Sequence, residues 1–386
     1  MDFELSDEQK MIRSYPEDLA KHFDRAYWEE KSLAKEFPRE LWRQLGSDGF
    51  LGIMVDEQYG GAGLGLFEMA LIHEGLARVG MPLLLMVIGP TMTMGLLNKH
   101  GTEAQKQFYL PAGCSGENIY CFAITEPNAG SNSMRITTVA RPDGDGFVLK
   151  GQKTYITGAD AADHALVVAR TTPFDEASSK TEGFTLFMVP MKDPRIEKRA
   201  IPIDVLIPEE QFQVFFDDVP LGPEHVVGEV GRGFSILFDT LNPERVVVAA
   251  LAVGMGHYAL EKGVTYASDR EVFGVPVGSH QGLAHPMAAA RAELEAATLL
   301  TYQAAWAFDS GRAAGAEANM AKYFAAEACA HAVDAAVQAH GGNGFAREYG
   351  LFELHALSRI LKTVPVSREM ILNYIGERVL GLPRSY

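Results

Sequence analysis

The sequence predicts an α+β protein of several domains: an N-terminal α-helical domain, a central β-barrel or β-sandwich domain and a C-terminal four-helix bundle. A chain of 386 residues is long enough for two or three domains with large cores. The pattern is helical up to about residue 116, changes to short strand-like runs from 117 to 233, and is helical again from 234 onward. We therefore expect domains at 1–116, 117–233 and 234–386.

The N-terminal part contains a helix start signal and a glycine-rich loop. Ser6 and Gln9 have the spacing of a capping box, which opens the first helix. Further helices are expected over residues 39–45, 66–78 and 102–110. The glycine-rich segment 59–65 is not preceded by a strand, and no acidic residue closes a βαβ unit after it. It therefore predicts a loop at a helix–helix corner and not a dinucleotide site.

The central part consists of short apolar runs separated by turn residues. The turn signal Asp-Gly-Asp-Gly occupies residues 143–146, and residues 175–182 are polar enough to form an exposed loop. The runs that predict strands are 147–150, 165–169, 183–189 and 211–216. Several such runs without intervening helices indicate a β-barrel or β-sandwich.

The C-terminal part predicts long helices joined by short connections, which is typical of an antiparallel bundle. Asn242 is suited to an N-cap and Pro243 to the first helical position, so we expect a helix from there to about Ser268. Glu244 and Arg245 would then lie in its first turn. The remaining helices are expected over residues 282–309 and 314–340, and from after Ser367 to Gly381.

Composition excludes several functional classes. The formal net charge of −16 argues against nucleic acid as a bulk partner, although a few donors would suffice for an anionic cofactor. No apolar run is long enough to span a membrane. The first ten residues lack the basic region of a signal peptide, so we expect a cytoplasmic protein. Cys114, Cys121 and Cys329 have no metal-ligand spacing and predict free thiols.

Two short segments, 123–132 and 151–157, each place a Thr where a strand meets a turn. Pro127 fixes its own φ, and the turn that follows, 128–131, can direct backbone N–H groups at an anion. The hydroxyls of Thr125 and Thr157 suit a flat heteroaromatic ring with carbonyl and nitrogen acceptors and a phosphate tail. Two ordinary β-turns are the alternative interpretation.

The residue sequence of these segments resembles the flavin-binding signature of the acyl-CoA dehydrogenases, Thr-Glu-Pro-x-Ala-Gly-Ser followed by Gly-x-Lys-x-Trp/Tyr-Ile-Thr. The resemblance extends over nearly the whole chain, and the family's domain order of helices, β domain and bundle is the one predicted here. It implies FAD as cofactor. The residues that it would place at the flavin or its ribityl and phosphate chain are Phe122, Ile124, Thr125, Ser131, Tyr155 and Thr157, with Ser131 also a candidate for contact with substrate pantetheine.

Further segments resemble the family's contacts to the FAD phosphates. Arg270 and Phe273 match its Arg-x-x-Phe-Gly, in which the Arg pairs with the pyrophosphate of a neighbouring subunit. The other matching positions are Gln281, Gln338, Gly341, Gly342, Ser367 and Glu369. A surface cation at a helix end is the alternative for Arg270. Because the family's FAD site takes Arg270 and the turn 338–344 from a neighbouring subunit, the resemblance implies a homodimer or homotetramer.

The catalytic base is expected at Glu244. Many family members carry the base in a Glu-Gly-Thr turn before the last helix, but that position is Pro365 in this chain. Branched-chain and long-chain members place it in a Glu-Arg-Leu motif, which Glu244-Arg245-Val246 resembles. A helix N-terminus would favour the Glu244 anion, whereas a desolvated pocket would raise its pKa. Arg245 would then contact the pantetheine arm.

Pro365 also removes a backbone N–H that, in the family, donates to the thioester carbonyl, unless Val366 supplies it. The resemblance implies an FAD-dependent dehydrogenase that converts an acyl-CoA to a trans-2-enoyl-CoA in lipid metabolism and passes electrons to an electron-transfer flavoprotein. Two alternatives stay open: a flavoprotein acting on a carrier-protein-bound or unusual thioester, and a non-catalytic subunit of a mixed tetramer. A Met-rich apolar segment, 81–97, suits either an acyl pocket or core packing.

Overall fold

The structure, a computed structural model, describes residues 4–384. Residues 1–3, which begin the segment used to exclude a signal peptide, lie outside this range.

The N-terminal domain is helical, as predicted. Its helices are α1 (Asp7–Leu19), α2 (Arg25–Ala34), α3 (Arg39–Ser47), α4 (Leu66–Arg78), α5 (Leu84–Met86), α6 (Gly95–His100) and α7 (Glu103–Cys114), with a π-helical stretch at Val87–Met94. The methionines of segment 81–97 are buried in the core of this chain.

Two local predictions in this domain are confirmed. The Gln9 N–H donates to Ser6 Oγ at 3.2 Å and the Ser6 N–H donates to Gln9 Oε1 at 3.0 Å, so the capping box forms. The glycine-rich segment leads as a loop into α4, whose first N–H groups, of Leu66 and Phe67, donate to the Asp309 carboxylate at 2.8 and 2.9 Å. The loop therefore forms a corner between N-terminal and C-terminal helices.

The central domain is a sheet of eight strands within the described residues. The strands are β1 (Tyr120–Ala123), β2 (Val139–Asp143), β3 (Gly146–Thr157), β4 (His164–Arg170), β5 (Phe184–Pro190), β6 (Ile196–Ile201), β7 (Gln211–Leu221) and β8 (Val226–Val227). Their order is β6-β7-β3-β2-β4-β5-β8, and β1 pairs in parallel with β4. The four strands predicted from apolar runs lie within or across β3, β4, β5 and β7. Between Lys153 and Ile156 the pairing of β3 with β7 shifts register, so the predicted cofactor segment lies on an irregular strand end.

The first long helix of the C-terminal domain, α8 (Gly233–Asp269), corrects one prediction. It has 37 residues and begins well before Asn242, so Asn242 is not its N-cap and Pro243 lies inside it. The preceding residues are helical because Leu237 and Phe234 pack into the apolar core of the central domain. Glu244 is therefore in the fourth turn of α8, too far from the N-terminus for the helix dipole to stabilise its anion.

The rest of the C-terminal domain is helical, as predicted. It comprises α9 (Gln281–Asp309), α10 (Gly315–His340), α11 (Phe352–Leu361) and α12 (Arg368–Tyr374), the last continuing as a π-helical turn at Ile375–Val379. Three long helices pack together, and the fourth position of the expected bundle is divided between α11 and α12. Ser367 caps α12, because its Oγ accepts from the Met370 N–H at 3.3 Å. The turn 362–367, which contains Pro365, separates α11 from α12.

Helices α8 and α4 join the two helical domains closely. A Cβ at Gly254 of α8 would lie 2.1 Å from the Glu74 carbonyl oxygen of α4, so only glycine permits this approach. Among residues 4–384 no helix is long and apolar enough to cross a membrane. The same residues contain no group of three or more side chains placed to hold a metal ion. The three cysteines are buried and unpaired.

Candidate active site

The turn after β1 is closed by its own backbone. Glu126 and Ala129 exchange hydrogen bonds, with the Glu126 N–H donating to the Ala129 carbonyl at 3.2 Å and the Ala129 N–H donating back at 3.0 Å. Pro127 occupies the second position of this turn, where its fixed φ is favourable. Ser131 is exposed and Thr125 is partly exposed. The turn therefore presents a hydroxyl on each side of a rigid loop.

Lys153 and Glu126 hold the two predicted cofactor segments together. Lys153 Nζ donates to Glu126 Oε1 and to the Ile124 carbonyl, both at 2.9 Å, and the lysine side chain is fully buried. The Thr154 N–H donates to the Thr125 carbonyl at 2.9 Å. The structure thus brings together segments that are 25 to 30 residues apart in sequence, as the resemblance predicted.

The charges of this buried pair stabilise each other. Burial by itself would raise the pKa of Glu126, but Lys153 and hydrogen bonds from Thr138 and Thr137 outweigh it and leave that pKa below its ordinary value. Burial lowers the pKa of Lys153 to about 8, and Glu126 opposes this shift. The carboxylate also accepts from the Thr137 N–H, the Thr137 hydroxyl and the Thr138 N–H at 2.6, 2.8 and 2.9 Å. Two residues of the motif therefore have a structural role that sequence reasoning did not assign.

The strand end beyond Lys153 presents an aromatic ring and a hydroxyl. Tyr155 is 60% exposed and adopts φ +56°, a conformation that is uncommon for an aromatic residue. Ile156 is buried, so Tyr155 and Thr157 face away from the core. The Thr157 hydroxyl donates to Gln211 Oε1 of β7 at 3.1 Å. Gln211 is a neighbour of the predicted site that sequence reasoning missed, since nothing local to β7 marks it.

Glu244 and Arg245 lie side by side on α8. Burial raises the pKa of Glu244 to about 7, against the opposing effect of the cations Arg245 and Lys322. The Arg245 side chain is buried, and its Nη1 donates to Asn242 Oδ1 at 2.7 Å. Its buried Nε has no hydrogen-bond partner among the described residues. A carboxyl of raised pKa therefore lies next to a buried guanidinium whose Nε–H could donate to a ligand rich in acceptors.

A second lysine joins this cluster from α10. Lys322 is 1% exposed, and its Nζ donates to the Val366 carbonyl in the turn that contains Pro365 at 2.6 Å. Sequence reasoning missed Lys322, although a signal was present: it is a charge among buried alanines of one helix face, including Ala318, Ala325 and Ala326. Lys322 therefore contacts the Pro365 turn directly and acts on Glu244 electrostatically.

Six of the FAD contacts that the resemblance implies in the C-terminal domain are exposed. They are Arg270, Phe273, Gln281, Gln338, Gly341 and Gly342. Phe273 is 94% exposed at the tip of a hairpin, and Gly341 adopts φ +56° with no atom near the position of a Cβ. Arg270 and His340 line one cavity of about 660 Å³ with Tyr258, Tyr266 and Tyr349. None of the residues that line it belongs to segments 123–132 or 151–157, so this cavity does not join Arg270 to the cofactor segments of the central domain.

A larger cavity opens at the beginning of α8. It has a volume of about 780 Å³ and is lined by the β2–β3 turn, by the loop after β4 and by Arg232, Phe234 and Ser235. Hydroxyls of Ser178, Ser179 and Thr181 and the carboxylates of Asp145 and Glu182 also face it. Glu244 is ten residues along α8 from Phe234, which corresponds to roughly 15 Å.

Comparison with known proteins identifies the same family along the chain. Sequence models described as the N-terminal, middle and C-terminal domains of acyl-CoA dehydrogenase match residues 6–117, 121–219 and 231–380. The chain is 44% identical to the acyl-CoA dehydrogenase FadE12 of Mycobacterium tuberculosis, over 99% of this chain and 98% of the relative. The structure is similar to that of butyryl-CoA dehydrogenase from Megasphaera elsdenii, with a TM-score of 0.93 and 29% identity over 98% of this chain and 100% of the other. It is also similar to the FAD complex of PigA, with a TM-score of 0.92 and 28% identity over 99% and 100%.

Proposed function

This chain belongs to the acyl-CoA dehydrogenase family, and from that premise we propose that it oxidises an acyl-CoA to the trans-2-enoyl-CoA with Glu244 as the base. The cofactor is FAD and the protein is a flavin-dependent oxidoreductase. The observation that carries the proposal for the base is the raised pKa of Glu244 beside Arg245, in a chain whose 362–367 turn contains no acidic residue.

The described residues fit FAD. Exposed Tyr155 with Thr157 on one segment, and Thr125 on the other, offer an aromatic face and hydroxyl donors for the isoalloxazine, with Phe122, Ile124 and Ser131 beside them. Gly341 and Gly342 leave open space where side chains would otherwise block phosphates. We propose that Arg270, Phe273, Gln281, Gln338 and these glycines serve the FAD of a neighbouring subunit, with Ser367 and Glu369 at the same site, in a homodimer or homotetramer.

The proposed reaction divides the C–H bonds of the substrate between two acceptors. The Glu244 carboxylate takes the proton from the α-carbon, and the electron pair left behind forms the new double bond as hydride leaves the β-carbon. Bound FAD supplies the acceptor for that hydride. Because the pKa of Glu244 is about 7, a large fraction of the base is ionised at neutral pH while it remains basic enough to abstract the proton. Arg245, whose Nε has no hydrogen-bond partner among residues 4–384, would bind the pantetheine arm.

The cavity at the start of α8 favours coenzyme A as the carrier of the acyl group. Arg232 and the hydroxyls of Ser178, Ser179 and Thr181 are donors that suit a phosphate-bearing nucleotide, whereas the carboxylates of Asp145 and Glu182 at the same cavity oppose it. A concave pocket suits a small molecule, and a carrier protein needs a broader docking face. Ten residues of α8, a rise of roughly 15 Å along the helix axis, separate Phe234 at this cavity from Glu244. Electrons would then pass to an electron-transfer flavoprotein.

Anaerobic titration of the purified protein with straight and branched acyl-CoAs tests the proposal. The native protein should be yellow, and one class of acyl-CoA should bleach the flavin band. Glu244→Gln should keep FAD and lose bleaching by at least a hundredfold in rate. Glu295→Gln, an exposed carboxylate on α9 paired with Arg291 at 2.6 Å, is the matched control and should bleach at the native rate.

Each other outcome has a definite meaning. Full activity of Glu244→Gln would overturn the assignment of the base. A yellow protein bleached by acyl groups on a carrier protein but not on coenzyme A would replace the substrate. A colourless protein that gains FAD only with a co-expressed relative would indicate a supporting subunit of a mixed tetramer.

A further inference from the structure

Lys322 is a buried lysine whose position has a specific consequence for the thioester side of the site. An ammonium group has three donors, and burying it is unfavourable unless acceptors compensate. Among the described residues one hydrogen-bond acceptor contacts it, the Val366 carbonyl at 2.6 Å. The Lys322 ammonium is therefore held by the backbone of the 362–367 turn.

The turn that Lys322 holds is the one altered by Pro365. Proline has no N–H, so the first backbone donor after Thr363 and Val364 is the N–H of Val366. Within residues 4–384 that N–H donates to no backbone or side-chain acceptor, and Val366 is partly exposed. The bond from Lys322 to the Val366 carbonyl restrains the same residue whose N–H is free.

We propose, on the basis of the proposed function, that Lys322 is a positioning residue for the dehydrogenation: it anchors Val366 so that the Val366 N–H replaces the missing donor to the thioester carbonyl. A fixed N–H stabilises the negative charge that develops on that oxygen as the α-proton leaves, and it does so only if its direction is held. Lys322 lies on α10 and not in the motif that contains Glu244 or in the Pro365 turn, so neither segment predicts its role. It acts through the turn and is not a reacting group.

The same ammonium influences the base. The charged groups that act on Glu244 are Arg245 and Lys322, and those that act on Lys322 are Glu244, Arg245, Glu369 and Glu327. An ammonium near a carboxylate favours the anion, so removal of Lys322 raises the pKa of Glu244. On the acid side of the pH profile, the rate of flavin reduction would then begin to fall at a higher pH. A purely structural role would not move this pH midpoint.

Three variants of the FAD-loaded protein test the proposal. Lys322→Met removes both the bond and the charge; Lys322→Arg keeps the charge with different geometry. Lys362→Met is the control, because Lys362 lies at the same turn but pairs with Glu327 at 2.7 Å and not with Val366. The readouts are FAD content, visible spectrum and single-turnover flavin reduction between pH 5 and 9, with whichever acyl-CoA bleaches the native protein.

We expect Lys322→Met to reduce flavin at least tenfold more slowly at its pH optimum and to shift the acid midpoint upward by roughly one pH unit. Lys322→Arg should keep the native midpoint and lose rate, and Lys362→Met should match the native protein in both. An unchanged rate and midpoint in Lys322→Met would overturn the proposal. If that variant does not retain FAD, Lys322→Arg decides: the native rate in that variant overturns the requirement for the Val366 contact. A native protein that no acyl-CoA bleaches would overturn the proposed function first, and this inference with it.

Discussion

Removal of the ammonium at Lys153 should weaken both the central domain and its hold on FAD. In the native chain Lys153 and Glu126 form a buried pair at 2.9 Å, with 0% and 4% of their side-chain surfaces exposed. Breaking a buried pair from one side typically costs 3–5 kcal/mol, because a charge is left uncompensated. Glu126 keeps three other donors from Thr137 and Thr138, so Lys153→Met should cost about 3 kcal/mol, at the lower end of that range.

The effect should also appear in cofactor affinity, because the lysine holds the turn that presents Thr125. We expect the apparent Tm of the apoprotein to fall by several degrees and the Kd for FAD to rise at least tenfold. The assay is thermal unfolding of the deflavinated protein at fixed concentration, followed by fluorescence titration with FAD. The double variant Lys153→Met with Glu126→Gln should recover part of the loss, with a coupling of at least about 1 kcal/mol.

A matched control is available on the same strand. Lys150 pairs with Asp217 and Asp218 at 3.1 Å but is 47% exposed, so Lys150→Met should change stability by less than about 1 kcal/mol. If Lys153→Met unfolds and binds FAD like Lys150→Met, or if the two losses simply add in the double variant, the role assigned to the buried pair is refuted.

Three further results should follow from the structure. Since the pKa of Glu244 is about 7, the rate of flavin reduction in the native protein should fall tenfold per pH unit below that value, and a flat profile from pH 5 to 8 would contradict Glu244 as base. Gln211→Leu removes the acceptor of the Thr157 hydroxyl and should weaken FAD binding roughly fivefold, or about 1 kcal/mol. Gln213→Leu on the same strand should leave FAD affinity unchanged. Equal affinities of the two variants for FAD by titration would refute a role of the Thr157–Gln211 hydrogen bond in binding. Burial raises the pKa of Glu209 from 4.5 to about 7, and one of its oxygens has no partner among the described residues. Because the folded state holds this proton more tightly, the stabilisation is complete below pH 4.5 and is lost as the pH rises through 7. Glu209→Gln should therefore gain stability relative to the native protein between pH 5 and 8, approaching about 3 kcal/mol, and a difference that is constant with pH in denaturant titrations would exclude this explanation.

Local patterns were sufficient for much of the fold. The capping box of Ser6 and the helix start after Ser367 depend on hydrogen bonds between residues three positions apart. The four strands were predicted from local runs of apolar residues, although their hydrogen bonds join distant parts of the chain. The start of α8 was predicted wrongly for a related reason. Asn242 and Pro243 have the local chemistry of a helix start, but the packing of Leu237 and Phe234 into the central domain extends the helix past them.

The sequence by itself determined the order of the domains and indicated two candidate cofactor segments, because periodicity, turn chemistry and motif sequence are contained in contiguous residues. Only the tertiary structure decided which charges are buried together. Lys153 reaches Glu126 across 27 positions and Lys322 reaches Val366 across 44, and neither contact leaves a local pattern. The pKa of Glu244 was decided in the same way, since it depends on how much protein surrounds the carboxyl, on Arg245 and on Lys322 from another helix. Desolvation and long-range contacts arise from packing, so they appear only once the chain has folded.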